Sequence, residues 1–101
     1  MTTWGKYAIV AVRYNSDGSH IAKVKRKDVG ESALSNSTRI SRQSVVTDLK
    51  KGIRYTTAIK NSNGDWSLGD EVEIYEINGQ EFIRTEPNNT PEDNLEGLPT
   101  F

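Results

Sequence analysis

The chain has 101 residues, of which 34% are hydrophobic and 27% are charged, and its formal net charge is -1. This length fits one small domain, which has little material left for a deep active-site cleft once its core is built. The absence of cysteine excludes disulfides, thiolate nucleophiles and cysteine-based metal sites. Because no apolar stretch approaches the ~20 residues of a membrane helix, we expect a soluble cytoplasmic domain without a membrane partner.

The charges are unequally distributed along the chain. Residues 1–60 carry a balance of +8, whereas residues 61–101 carry a balance of -9, with Arg84 as the one basic residue after Lys60. One interpretation is that the two halves interleave in the fold and neutralise each other. The other is that a basic face binds an anionic partner and that the acidic end competes with this partner.

The first half predicts two strands joined by a turn. Residues 7–14 are rich in β-formers and predict a strand buried on both faces, and residues 20–29 return as a second strand after a turn at 15–19. Since side chains alternate along a strand, one face of the second strand should be strongly basic. The residues expected on this face are Ile21, Lys23, Lys25 and Lys27.

A surface loop is predicted over residues 30–39, followed by a helix over 42–51. Ser41 supplies the hydroxyl of an N-cap, and Gly52 ends the helix. The apolar stripe of the helix is narrow, so the helix should pack on a sheet. The stripe consists of Val45, Val46 and Leu49.

The second half predicts strands over 54–60 and 71–77, with a turn at 61–65 and Trp66 between them. Asn78-Gly79 is typical of a two-residue hairpin and fixes the register of a last strand. This register pairs Ile77 with Gln80, Tyr75 with Phe82, Ile74 with Ile83 and Glu73 with Arg84. Ile74 and Ile83 should then face the core, with the Tyr75–Phe82 pair on the opposite face.

Together these elements predict an α+β fold with a single domain in the order β-β-α-β-β-β. One helix packs on a curved, mainly antiparallel sheet of about five strands. Residues 1–85 should form the compact domain, and residues 86–101 an extended, acidic, proline-containing tail. Because Leu95, Leu98 and Phe101 recur at every third position, we expect this tail to be partly docked on the domain.

Several short motifs follow one another along the chain. They are Ser-Arg-Gln-Ser-Val-Val at 41–46, Lys51-Gly52, Tyr55-Thr56-Thr57, Phe82-Ile83-Arg84-Thr85, Asp93-Asn94-Leu95 and Leu98-Pro99. In this order of motifs the chain resembles a small prokaryotic and phage-borne family, domain of unknown function family 3892. The resemblance covers nearly the whole chain, apart from a longer Ser-rich loop at 30–39. It implies no activity, cofactor or site residue, but it implies that the tail belongs to the domain.

The sequence offers little material for catalysis. His20 is the one histidine and lies at a predicted turn, and no glycine-rich phosphate loop is present. The turn at 61–65 lacks the glutamate of a calcium loop, since Val72 stands at the twelfth position. We therefore predict no enzymatic activity, no catalytic residue, no cofactor and no metal site.

Two sets of residues are candidates for binding. A basic set could contact an anionic partner such as nucleic acid, with Tyr7 and Tyr14 stacking on bases, although its lysines could instead keep an exposed strand soluble. This set is Arg13, Lys23, Lys25, Arg26 and Lys27. An apolar set could contact a protein, although its members could instead fill their own core. This set is Trp66, Tyr75, Phe82, Leu95, Leu98 and Phe101.

From the sequence, the favoured function is that of a small non-catalytic binding or adaptor module with a protein partner or a second copy of itself. The alternative is a nucleic-acid-binding domain that uses the basic strand over residues 23–27. In that alternative the acidic C-terminal half modulates binding.

Overall fold

The computed structural model describes residues 3–16, 20–30, 34–77, 79–85, 95 and 98–101. In this part of the chain, one helix, α1 (Arg42–Lys50), lies between two groups of three strands. The strands are β1 (Tyr7–Tyr14), β2 (Ile21–Asp28), β3 (Thr38–Ser41), β4 (Tyr55–Lys60), β5 (Trp66–Ile77) and β6 (Gln80–Arg84). The predicted α+β class is confirmed, and the order β-β-β-α-β-β-β contains one strand more than expected.

The six strands form one sheet in the order β3-β2-β1-β4-β5-β6. All neighbouring pairs are antiparallel except β1 and β4, which run parallel and pair Tyr7 with Tyr55. The helix follows β3 directly, and its Lys50 forms an ion pair of 2.9 Å with Glu81 of β6. Because both edge strands reach the helix, the sheet curves around it.

Local sequence signals set the ends of the helix and the last hairpin as predicted. The Ser44 amide donates to the Ser41 hydroxyl at 3.2 Å, which caps the helix, and Gly52 follows the helix with φ of +86°. β5 and β6 pair in the register that was expected from Asn78-Gly79, including Tyr75 opposite Phe82 and Ile74 opposite Ile83. Asn78 itself lies outside the described residues.

Two elements differ from expectation. β3 occupies part of the predicted loop over 30–39, because Thr38 to Ser41 pair with Arg26 to Lys23 of β2. β5 is one strand of 12 residues from Trp66, not a strand that starts near Glu71. Both differences come from strand pairing: β3 pairs with β2, and the first residues of β5 pair with the end of β4, where Lys60 lies opposite Trp66.

The main core lies between the sheet and α1. It includes fully buried side chains from five strands and the helix, and also Leu95, which is 2% exposed. Residues 98–101 lie beside β1: the Val12 amide donates to Pro99 O at 3.0 Å, and the Phe101 amide donates to Val12 O at 3.1 Å. The described part of the C-terminal segment therefore contacts the domain, while residues 86–94, 96 and 97 lie outside the described part.

Candidate functional site

The face of the sheet that points away from α1, here called the open face, gathers basic side chains from four strands. Strand pairing places Arg13 opposite Lys23, and Arg39 opposite Lys25. It also places Lys27 opposite Ala8. The six cations of the open face are Arg13, Lys23, Lys25, Lys27, Arg39 and Lys60.

A bulge in β2 explains which residues share this face. Arg13 pairs with Lys23 and Tyr14 pairs with Ile21, so Ala22 is an extra residue between the two pairs. The extra residue reverses the alternation, which turns Ile21 to the helix side, where it is 1% exposed. The prediction that Ile21 shares a face with the lysines was therefore wrong, while the lysines keep the expected common face.

Phe101 lies among three of these cations. Its ring centroid is 4.9 Å from Arg13 Cζ and from Lys25 Nζ, and 5.5 Å from Arg39 Cζ. Arg13 Nε also donates to Phe101 O at 2.8 Å. The end of the C-terminal segment thus adds a half-buried aromatic ring to the basic surface.

Trp66 is a second aromatic residue whose ring lies beside cations of the open face. Lys27 Nζ lies 5.4 Å and Lys60 Nζ 5.7 Å from its ring centroid. Trp66 packs against small buried residues of the open face, namely Ala8, Val10 and Ala58. Because these side chains are short, the indole can lie close to the sheet and still be partly exposed.

Among the residues that the structure describes, no Asp or Glu side chain forms an ion pair with any of the six open-face cations. The ion pairs there involve other cations: Arg26 with Asp48, Lys50 with Glu81, and Arg54 with Glu71. Arg13, Lys23, Arg39 and Lys60 are exposed, and Lys25 and Lys27 are half-buried. Two of the six donate to main-chain oxygens instead: Lys27 Nζ to Ser35 O at 2.9 Å and Arg13 Nε to Phe101 O at 2.8 Å.

Arg26, a predicted member of the basic set, lies on the helix side instead. Its guanidinium contacts the Tyr7 ring at 4.0 Å and donates to the Tyr55 hydroxyl at 3.0 Å. The Tyr55 hydroxyl donates to Asp48 Oδ2 at 2.6 Å. Burial and this bond raise the pKa of Tyr55 well above its ordinary value of 10, although Arg26 acts in the opposite direction. Arg26 thus belongs to a structural network.

The two tyrosines that were predicted to stack on bases also lie on the helix side. Tyr7 contacts Tyr55 with a centroid distance of 5.2 Å, and Tyr14 packs against the main core. The fold brings to the open face Trp66 and Phe101, which the sequence had assigned to a protein interface, and Trp4 packs against the same small residues of this face as Trp66. Arg39 and Lys60 were missed, because only the pairing of β3 with β2 and of β4 with β5 reveals their position.

The apolar set predicted for a protein interface is not assembled on one surface. Phe82 is 0% exposed, with its ring 5.2 Å from that of His20, and Leu95 is buried in the main core. Leu98 packs against the same core, and Tyr75 is half-buried. Phe82 and Leu95 are therefore not available to a partner, because the curved sheet and the C-terminal segment use them for packing.

A cavity of about 310 Å³ lies between the end of α1 and β5. Leu49, Ile53 and Val72 are among its apolar lining residues. Its charged residues are engaged: Arg54 pairs with Glu71 at 2.6 Å, and Glu73 accepts a hydrogen bond of 2.8 Å from Tyr75. The cavity thus offers no free acid–base pair.

Among the described residues there is no group of three or more His, Cys, Asp and Glu side chains that could hold a metal ion. No helix in this part of the chain is long and apolar enough to span a membrane.

Comparison with known proteins gives one result. The model of a family described as "Protein of unknown function (DUF3892)" matches residues 8–99. The chain belongs to this family. The match to DUF3892 includes all strands except the first residue of β1, and it also includes most of the C-terminal segment. No curated protein and no solved structure matches the chain.

Proposed function

We propose that this DUF3892 protein is a non-catalytic cytoplasmic module that binds nucleic acid through its open face. One observation carries the proposal: six cations from β1, β2, β3 and β4 share a surface, and among the described residues no Asp or Glu side chain forms an ion pair with them. A phosphate backbone is a regular row of negative charge, and lysines and arginines that contact it release bound counterions.

The spacing of the cations supports a polymeric anion over a small one. Lys23, Lys25 and Lys27 alternate along β2, so neighbouring members are about 7 Å apart and the row is about 13 Å long. Arg13 and Arg39 lie on the strands at either side of this row. Arg13, Lys25 and Arg39 lie around the Phe101 ring, and Lys27 and Lys60 lie beside Trp66. The cations are therefore spread over the sheet in two groups and do not all surround one phosphate-sized site.

A protein partner remains the other candidate, and one observation bears on it. Ile59, which is 40% exposed, is the large hydrophobic side chain that stands out as exposed in the described part of the chain. A stable protein interface needs a buried apolar centre. The described surface therefore supports an anionic partner better than an apolar one. A protein partner of this surface would have to be acidic.

The test measures the binding of a fluorescently labelled mixed-sequence oligonucleotide by anisotropy at low salt. We compare the wild type with two double variants that lose the same charge: Lys23→Ala/Lys25→Ala on the open face, and Lys50→Ala/Lys51→Ala at the end of α1. The open-face variant should weaken binding severalfold, whereas the helix variant should bind like the wild type. Equal affinities for all three proteins, or no binding by the wild type, would overturn the proposal.

A pull-down from a native lysate, with and without nuclease, separates the two partner classes. Nuclease should remove the material that the wild type retains. Retention of the same proteins after nuclease treatment, combined with their loss in the Lys23→Ala/Lys25→Ala variant, would show that the open face binds an acidic protein.

A further inference from the structure

We infer that the open face prefers single-stranded over duplex nucleic acid, and that Trp66 and Phe101 are the rings on which unpaired bases stack. This inference rests on the proposed function and specifies its ligand. Each ring is half-buried and lies beside cations that also belong to the phosphate-binding surface. Aromatic rings in a basic groove are the usual way in which proteins hold single strands without reading their sequence.

The position of Trp66 suits stacking. The indole packs on Ala8, Val10 and Ala58, which are buried and short, so the sheet supports it as a rigid platform. Lys27 and Lys60 reach it from β2 and β4. A base that stacks on this ring would place its phosphates within reach of two lysines that come from different strands.

Phe101 provides the second platform, beside Lys25 in the middle of the lysine row. Its main chain is held by the hydrogen bond to Val12 O, and its ring lies among Arg13, Lys25 and Arg39. Lys25 contacts Phe101, and Lys27, two residues further along β2, contacts Trp66. Cations of β2 thus lie beside both rings, which is what a single-stranded backbone that runs past both rings requires.

A duplex uses this surface poorly. Proteins that read duplex DNA insert a helix or a two-stranded ribbon into the major groove, whereas the open face is the broad side of a sheet. In a duplex the flat faces of the bases are covered by their neighbours, so Trp66 and Phe101 would have nothing to stack on. The cations alone would then contribute to duplex binding.

The experiment uses the full chain with Trp4→Phe, so that Trp66 is the one remaining tryptophan. Its fluorescence is titrated with a single-stranded oligonucleotide and with the same sequence as a duplex. Trp66→Ala and Phe101→Ala, in a chain that keeps Trp4, are measured by anisotropy with both ligands. Tyr75→Ala is the control, because Tyr75 is an aromatic residue about 30 Å further along β5.

We expect the single strand to quench Trp66 and the duplex to leave its emission unchanged. Trp66→Ala and Phe101→Ala should each weaken single-strand binding about fivefold to 100-fold with no change in duplex binding, and Tyr75→Ala should change neither. Equal affinity for both ligands, or no effect of either ring, would overturn the inference but leave the proposed function intact. No binding of either ligand by the wild type would overturn the proposed function itself.

Discussion

The Tyr55 hydroxyl donates a hydrogen bond of 2.6 Å to Asp48 Oδ2 and thereby joins β4 to α1. Tyr55 is fully buried, and the same hydroxyl accepts a bond from Arg26 of β2. Two strands and the helix thus meet at one phenol, on the side of the sheet opposite the open face. This contact fixes the helix and keeps Arg26 away from the basic surface.

Tyr55→Phe should lower the free energy of unfolding by about 1.5–3 kcal/mol, because the hydrogen bond to a charged carboxylate is lost in a buried site. Tyr75→Phe is the matched control, since its hydroxyl donates to Glu73 at 2.8 Å on the surface. The control should change stability by less than about 0.5 kcal/mol. Urea unfolding of both variants measures the difference, and equal effects would contradict a structural role of Tyr55.

Stability should fall as the pH rises above 10, and Tyr55 should account for part of this fall. The fold raises the pKa of Tyr55, chiefly by burial, so the folded protein keeps the proton that the unfolded chain releases above pH 10. The stabilisation is complete below pH 10 and is lost between pH 10 and the raised pKa. Thermal unfolding between pH 8 and 11 should show a shallower decline for Tyr55→Phe than for the wild type; parallel declines would refute this assignment.

Leu95 should anchor the C-terminal segment to the domain. Its side chain is 2% exposed and belongs to the main core, whereas Leu98 is only partly buried there. Leu95→Ala should therefore cost about 2–5 kcal/mol in unfolding free energy, and Leu98→Ala should cost less. A loss below about 1 kcal/mol for Leu95→Ala would indicate that residues 1–85 are stable without the segment.

The acidic residues of the C-terminal segment should weaken binding to the open face. Because removal of residues 86–101 would also remove Leu95 and Phe101, the charges are neutralised instead, with Glu92→Gln, Asp93→Asn and Glu96→Gln in one chain. This triple variant should bind an oligonucleotide more tightly at low salt. Asp70→Asn/Glu73→Gln/Glu76→Gln on β5 is the matched control, and an equal gain for both would show that net charge alone is responsible.

Local chemistry explains which parts of the fold could be predicted. The Ser41 cap, the end of the helix at Gly52 and the register from Tyr75 opposite Phe82 each depend on residues that are close in sequence. The common face of Lys23, Lys25 and Lys27 also follows from alternation along one strand.

Non-local pairing explains what could not be predicted. The bulge at Ala22 is defined by the partner strand β1, and it moves Ile21 to the helix side. Arg39 joins the open face only because β3 pairs with β2, and Phe101 only because residues 99–101 lie beside Val12. The positions of Trp66 and Phe101 in the candidate site therefore depend on contacts between residues that are far apart in the sequence.

The salt dependence of single-strand binding tests the central claim most directly. The logarithm of the binding constant is measured against the logarithm of salt concentration for the wild type, Lys23→Ala/Lys25→Ala and Lys50→Ala/Lys51→Ala. This slope is negative, and it becomes shallower by about 0.7 for each phosphate contact that is lost from a single strand. We predict that the slope of the open-face variant is shallower by about 1.4 and that the helix variant keeps the slope of the wild type. Identical slopes for all three proteins would contradict binding through the open face.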